Sequence, residues 1–190
     1  MRSETKIHDL LEAHPIIAAV RDETGLEAAL KSQVAIVFLL DATLSNLKER
    51  VKRIENGGKL AFVHLEMVAG LSKDQAALEF IKTEIKPSGI LTTKPNLVQN
   101  AKNLGLGTIQ RLFILDSLSI HTGLKMIQGN HPDLMEIMPG IIPKVIPEIK
   151  RRCQTPIIAG GMVSAKEEII DLLKVGVIAV STSRVELWNL

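Results

Sequence analysis

The sequence predicts an α/β fold, a compact TIM-type (β/α)8 barrel in which residues 1–190 form one domain. Three observations carry that prediction. Eight short apolar runs alternate with amphipathic segments, one strand–helix unit per roughly 22 residues, which calls for parallel strands joined by crossover helices. The apolar content is 46% and almost wholly aliphatic, with one Trp, four Phe and no Tyr, as expected of strands buried on both faces. The first strand runs into Val20-Arg21-Asp22-Glu23-Thr24, without the glycine-rich loop that an open doubly wound sheet normally carries there. Eight units in 190 residues require minimal loops, since such barrels typically need about 250 residues.

Taken in order, the strand candidates are Ile16–Val20, Ala35–Leu40, Leu60–Leu65, Gly89–Thr92, Thr108–Leu115, Leu134–Met138, Pro156–Ala159 and Val177–Val180. Leu44, Leu47, Val51 and Ile54 recur at helical spacing, and Gly57–Gly58 ends that helix. Ala76, Ala77, Phe80, Ile81 and Ile85 mark a second helix, and Val98, Ala101 and Leu104 a third. Pro143 suits a first helical position, while Pro147 should kink that helix or delay its start. Ser164–Val175 reads as a helix closed by Gly176, and a short final helix is expected from Ser183.

In a barrel, function gathers where strands end and helices begin. Two adjacent ends stand out. Pro156–Ala159 runs into Gly160–Gly161, and Val177–Val180 runs into Ser181, Thr182 and Ser183. Glycines let backbone N–H groups approach an anion, and a helix N-terminus adds free donors and partial positive charge. Together these five residues are the candidate phosphate site; singly, the glycines would make only a tight turn and Ser183 would only cap a helix. The other polar strand ends are Arg21, Asp41, Glu66, Lys94, Asp116 and Glu136, expected to line the same mouth. Arg21 needs an anionic partner, whether side chain or phosphate. Glu136, inside the apolar run Leu134–Met138, must be solvated or paired. Asp41 and Asp116 would equally serve as helix caps, and His64 as a core histidine. Glu66, Asp41 and Lys94 would suit acid, base or Schiff-base chemistry as well as polyol binding.

Composition narrows the field. Net charge is +2, short of the footprint of many nucleic-acid binders. Cys153 is the single cysteine, so no internal disulfide forms. Neither a membrane-spanning run nor a signal-peptide core is visible, and a cytoplasmic location is expected, with no membrane partner. There is no metal-ligand spacing, nucleophile elbow or phosphate-binding P-loop, so no catalytic residue, metal or cofactor is assigned.

Several segments together resemble one family. They are Pro15–Arg21, His64-Leu65-Glu66 with Gly70-Leu71, Lys86–Lys94, Ile109–Ser117, Glu136–Lys144, Pro156–Gly161, and Val180–Ser183 with Leu187-Trp188. In this order, across nearly the whole chain, they are similar to the glycerol-3-phosphate-responsive antiterminators of bacterial glycerol operons. The sequence departs at Glu66, where the family pattern has Asp. The resemblance implies a small barrel that binds glycerol 3-phosphate as effector. It further implies action on the leader mRNA of glycerol-catabolic genes, preventing termination and stabilising the transcript.

Without the resemblance, a triose-phosphate or phosphosugar isomerase, aldolase or epimerase would be the preferred reading, and a barrel serving only protein association the third. A homo-oligomer is compatible with all three. With hardly any aromatic platform for stacking bases, RNA contact would rest on phosphates. The candidate patches are Lys48, Arg50, Lys52 and Arg53 on one helix and Lys150, Arg151 and Arg152 on another, either of which would also serve as a plain solvated face.

Overall fold

The computed structural model describes residues 4–190, with side chains described from Ile7 onward. The chain runs α1 (Glu4–Ala13), β1 (Ile16–Val20), α2 (Glu23–Lys31), β2 (Ile36–Leu39), β3 (Ala42–Thr43), α3 (Leu47–Asn56), β4 (Leu60–His64), β5 (Val68–Ala69), α4 (Gln75–Phe80), β6 (Gly89–Thr92), α5 (Pro95–Asn103), β7 (Gly107–Phe113), α6 (Ser117–Asn130), β8 (Leu134–Met138), α7 (Ile146–Arg152), β9 (Ile157–Gly160), α8 (Lys166–Lys174) and β10 (Ala179–Thr182). Eight strands close into a parallel barrel, ordered β1-β2-β4-β6-β7-β8-β9-β10 and back to β1. Ile16 pairs with Val180, so the first and last strands are neighbours, as a closed barrel demands. The short β3 and β5 pair in parallel on their own, beyond the ends of β2 and β4.

Alternation along each strand separates two cores. Ile17, Phe38, Phe62, Leu91, Ile109, Leu134, Ile158 and Ala179 point into the barrel, where Phe38 and Phe62 meet edge to face with centroids 6.3 Å apart. Ala18, Val37, Val63, Ile90, Leu112, Ile137, Ala159 and Val180 point outward and pack under the helices. Strands buried on both faces explain why they read as unbroken aliphatic runs rather than alternating ones. Helix α1 was not anticipated as a helix. Its Ile7 and Leu11 join the inner core and plug the N-terminal end of the barrel.

Three local expectations are corrected. Leu44 lies before α3 and is exposed; Asn46 takes the N-cap position, and its carboxamide accepts the Thr43 N–H instead. The helix of α4 continues as one π turn, Ile81–Ile85, which Lys86 closes in the left-handed region. The last segment is only a 3-10 turn, Val185–Leu187, whose cap position is Arg184; Ser183 caps nothing. Pro147 delays its helix: Pro143–Val145 forms a 3-10 turn and α7 begins at Ile146.

Candidate functional site

Near the C-terminal ends of the strands the inward positions His64, Arg111, Glu136 and Ser181 are polar, whereas Ala19 and Leu40 on the β1–β2 side stay apolar. Glu136 on β8 is completely buried and shares the inward parity of Leu134. Two neighbours satisfy it. Arg111 Nε on β7 donates to Glu136 Oε2 at 2.6 Å, and Ser181 Oγ on β10 donates to Oε1 at 2.6 Å. Gly160 lies between them on β9, and a Cβ there would collide with both Ser181 Oγ and Glu136 Oε1. Its missing side chain is therefore what lets β8 and β10 bond across β9.

Above this network opens a cavity of about 280 Å³. Arg21, Arg111, Glu136, Met138, Gly161, Met162, Val163, Ser164, Ser181, Thr182, Ser183 and Arg184 line it, together with Ala19 and Leu40. Three arginines and one carboxylate give the wall a net charge of +2. Arg111 is committed to Glu136, whereas exposed Arg21 and Arg184 make no ion pair among the described residues. Gly161 sits at φ +77°, a conformation that disfavours side chains, and a Cβ there would come within 2.5 Å of Met138 Cε. The backbone donors are fewer than the sequence implied. Glu168 Oε2 already accepts the Ser164 and Ala165 N–H groups, closing the N-terminus of α8; those backbone bonds, Ser164's first, hold its carboxyl below the usual range. Thr182 Oγ1 accepts the Arg184 N–H and donates to Val163 O. With only a 3-10 turn following Ser183, no α-helix dipole acts from that side.

The structure thus brings together Arg21, Glu136, Gly161, Ser181, Thr182 and Ser183 around one cavity, with Gly160 directly beneath. Glu66, Lys94, Asp41 and Asp116 lie elsewhere on the rim. Glu66 follows β4; one oxygen accepts the Thr92 hydroxyl and the other is 3.3 Å from His64 Nδ1. That contact lacks hydrogen-bond geometry, and neither atom has another partner. Burial, then the Arg111 charge, push the His64 pKa down to about 4, against the opposing pull of Glu66. Lys94 is exposed at the start of α5. Asp41 faces solvent 3.7 Å from Arg50 and caps no helix. Asp116 does cap: its Oδ1 accepts the Ser119 N–H at 2.7 Å at the head of α6.

The two basic patches differ. On α3, Arg50 is buried and bound to Asp41 O at 2.6 Å and to Glu23. Arg53 is tied to Glu23, Glu27 and Glu49, and the Glu23 bond foremost raises its pKa. Lys48 pairs with Glu84 at 3.2 Å, and Lys52 points to solvent. On α7, only Arg152 meets a carboxylate, Glu148 at 3.3 Å; Lys150 donates to Gly176 O, and Arg151 is exposed. One set of clustered metal-ligating types occurs among the described residues: His8, Asp9 and Glu12 on α1, largely solvent-facing and remote from the mouth.

Arg184 and Arg111 were missed as site residues. Arg184 directly follows the Ser181–Ser183 run, and Arg111 falls two residues after inward-facing Ile109, so strand parity was the available signal.

Fold and site define a β/α barrel with a cation-rich cavity at the C-terminal ends of its strands. The chain belongs to the glycerol-3-phosphate responsive antiterminators, whose family model matches residues 16–188. It is 36% identical to the glycerol uptake operon antiterminator regulatory protein of Listeria monocytogenes, with a TM-score of 0.88 over 91% of this chain and 94% of that one. A glycerol uptake operon antiterminator-related protein of Thermotoga maritima is 34% identical, with a TM-score of 0.81 over 91% and 96%. The uncharacterized protein YgcP of Escherichia coli is 35% identical over 181 residues, 95% of each chain. Orotidine 5'-phosphate decarboxylase of Pyrococcus horikoshii shares the fold at 15% identity, with a TM-score of 0.65 over 88% of each chain.

Proposed function

We propose that the cavity between β1, β8, β9 and β10 binds glycerol 3-phosphate, and that the liganded protein acts on leader mRNA to prevent transcription termination. The observation that carries this reading is the pair of arginines, Arg21 and Arg184, exposed on the rim of a small cavity whose floor is a buried carboxylate. The arginines face the phosphate. The Gly161–Val163 and Ser183 amides are the backbone donors within reach, since those of Ser164, Ala165 and Arg184 are engaged within the chain. Ser181 and the unspent Arg111 Nη groups, backed by buried Glu136, receive the glycerol hydroxyls.

Glu136 serves binding rather than proton transfer. Fully buried, it offers no open face to a substrate proton, which a general base needs, and it holds Arg111 and Ser181 in place instead. Regulation instead requires that the ligand prefer one of two states, and linkage then obliges RNA to tighten the ligand by the same factor. The RNA face is α7, where Arg151 and Lys150 meet no carboxylate among the described residues; the α3 arginines are neutralised by acidic neighbours. Contact with RNA phosphates makes affinity fall steeply with salt.

The test is a gel shift with glycerol-operon leader RNA at fixed salt, with and without glycerol 3-phosphate, beside an NMR time course of the ligand. A ligand-dependent shift with unaltered ligand is expected. Turnover without any shift would favour the phosphosugar-enzyme reading.

A further inference from the structure

We propose that the floor of the cavity is a selectivity filter that admits a phosphorylated alcohol and rejects a phosphorylated acid of the same length. The inference rests on the cavity's being the polyol-phosphate site. Its floor is made by Glu136, Arg111 and Ser181, contributed by three different strands. Glu136 is fully buried, and each of its oxygens takes one bond, from Arg111 Nε and from Ser181 Oγ. Glu136 lies just beneath the surface, while the Ser181 oxygen can still accept and the two Arg111 Nη groups remain as donors after Nε is spent. Donors and acceptors therefore alternate within one small area of no net charge.

A hydroxyl both donates and accepts, so it satisfies such a floor whichever group it meets. A carboxylate only accepts. Seated there, it would compete with Glu136 for Arg111 and bring a second anion close to a buried one, where like charges disfavour each other strongly. The rim imposes the opposite requirement, since Arg21 and Arg184 bring charge without a paired carboxylate among the described residues. The cavity is thus polarised: anion at the rim, neutral hydroxyls at the floor. Gly160 maintains the arrangement, because any side chain there would separate Ser181 from Glu136.

Two probes of equal backbone length isolate the floor: glycerol 3-phosphate, ending in a hydroxymethyl group, and 3-phosphoglycerate, ending in a carboxylate. Calorimetry on the intact protein should show the alcohol at least about 100-fold tighter, as expected where the wrong ligand leaves buried groups unpaired. Folded Glu136→Gln, confirmed by circular dichroism, should shrink that ratio to about tenfold or less, because the acid no longer competes with a buried anion for Arg111. Ser181→Ala keeps the buried ion pair and should weaken the alcohol alone, narrowing the ratio by a smaller step; it serves if the Gln variant does not fold. Comparable wild-type affinities, within about threefold, would overturn the filter and leave the site standing. A ratio unmoved in the folded variants would also overturn it. Binding of neither compound would remove the site itself and the filter with it.

Discussion

The two sides of the barrel mouth are built from the same kinds of residue and do opposite things with them. On the β8–β10 side the carboxylate, Glu136, is sunk beneath the surface and satisfied by Arg111 and Ser181, while Arg21 and Arg184 stand above it. On the β4–β6 side the carboxylate, Glu66, sits on top, joined to Thr92 and facing His64, and Lys94 projects outward. Depth of the acid decides the character of each side. Glu136 is matched by Arg111 beneath the rim cations, whereas partly buried Glu66 has only the Thr92 hydroxyl and lies beside a neutral His64. The β8–β10 rim, with Arg21 and Arg184, is therefore the more cationic half of the mouth, against Lys94 on the other.

The largest expected effect breaks the deep side. Glu136→Ala leaves Arg111 buried with no counter-charge, a loss of about 3–5 kcal/mol in urea denaturation. The matching Glu66→Ala on the shallow side should cost less than about 1.5 kcal/mol, because it removes one hydroxyl bond from a partly exposed carboxylate. Equal losses would erase the distinction.

Ligand affinity sharpens it next. Arg21→Ala and Arg184→Ala should each weaken glycerol 3-phosphate by about 1.5–3 kcal/mol, the scale of a charged hydrogen bond, in calorimetry. Lys94→Ala, on the other side, should change it by less than about 0.5 kcal/mol.

The shallow side should declare itself through pH. His64 is held neutral in the folded chain down to about pH 4, whereas the unfolded chain protonates it near 6.5. Between those values the unfolded state binds more protons, so stability rises with pH across the window and is lost as pH falls through it. Lowering pH from 7 to 5 should cost about 2 kcal/mol through this residue. His64→Gln should flatten the pH dependence of the urea midpoint between 5 and 7; an unchanged slope would show that His64 does not carry it.

The smallest effect concerns the outer faces. Arg151→Glu should weaken leader-RNA binding by about 1 kcal/mol and reduce its salt dependence, while Lys52→Glu on the acid-laced α3 should do less. Neither should alter glycerol 3-phosphate binding.

Sequence reasoning reached most of the frame and part of the site. The eight strands were legible because burial on both faces leaves aliphatic runs with few competing readings, and three of them match at both ends: Ile16–Val20, Gly89–Thr92 and Leu134–Met138. Helix α1 was not, although Ile7, Leu10 and Leu11 carry helical spacing; its polar composition hid its role as a plug. Within the site, Gly161 and the Ser181–Ser183 turn were visible as local patterns. The Arg111–Glu136–Ser181 network was not, because its members lie on separate strands and meet only through register. The capping of α8 by Glu168 likewise depends on a side-chain rotamer that composition does not specify.

A crystal structure of the protein with glycerol 3-phosphate distinguishes the two sides of the mouth. The phosphate should lie within hydrogen-bonding distance of Arg21 or Arg184 and of the Gly161–Val163 and Ser183 backbone, with a ligand hydroxyl on Ser181 or Arg111. A phosphate bound beside Lys94 on the β4–β6 side, with the β8–β10 cavity holding no ligand atom, would contradict this placement.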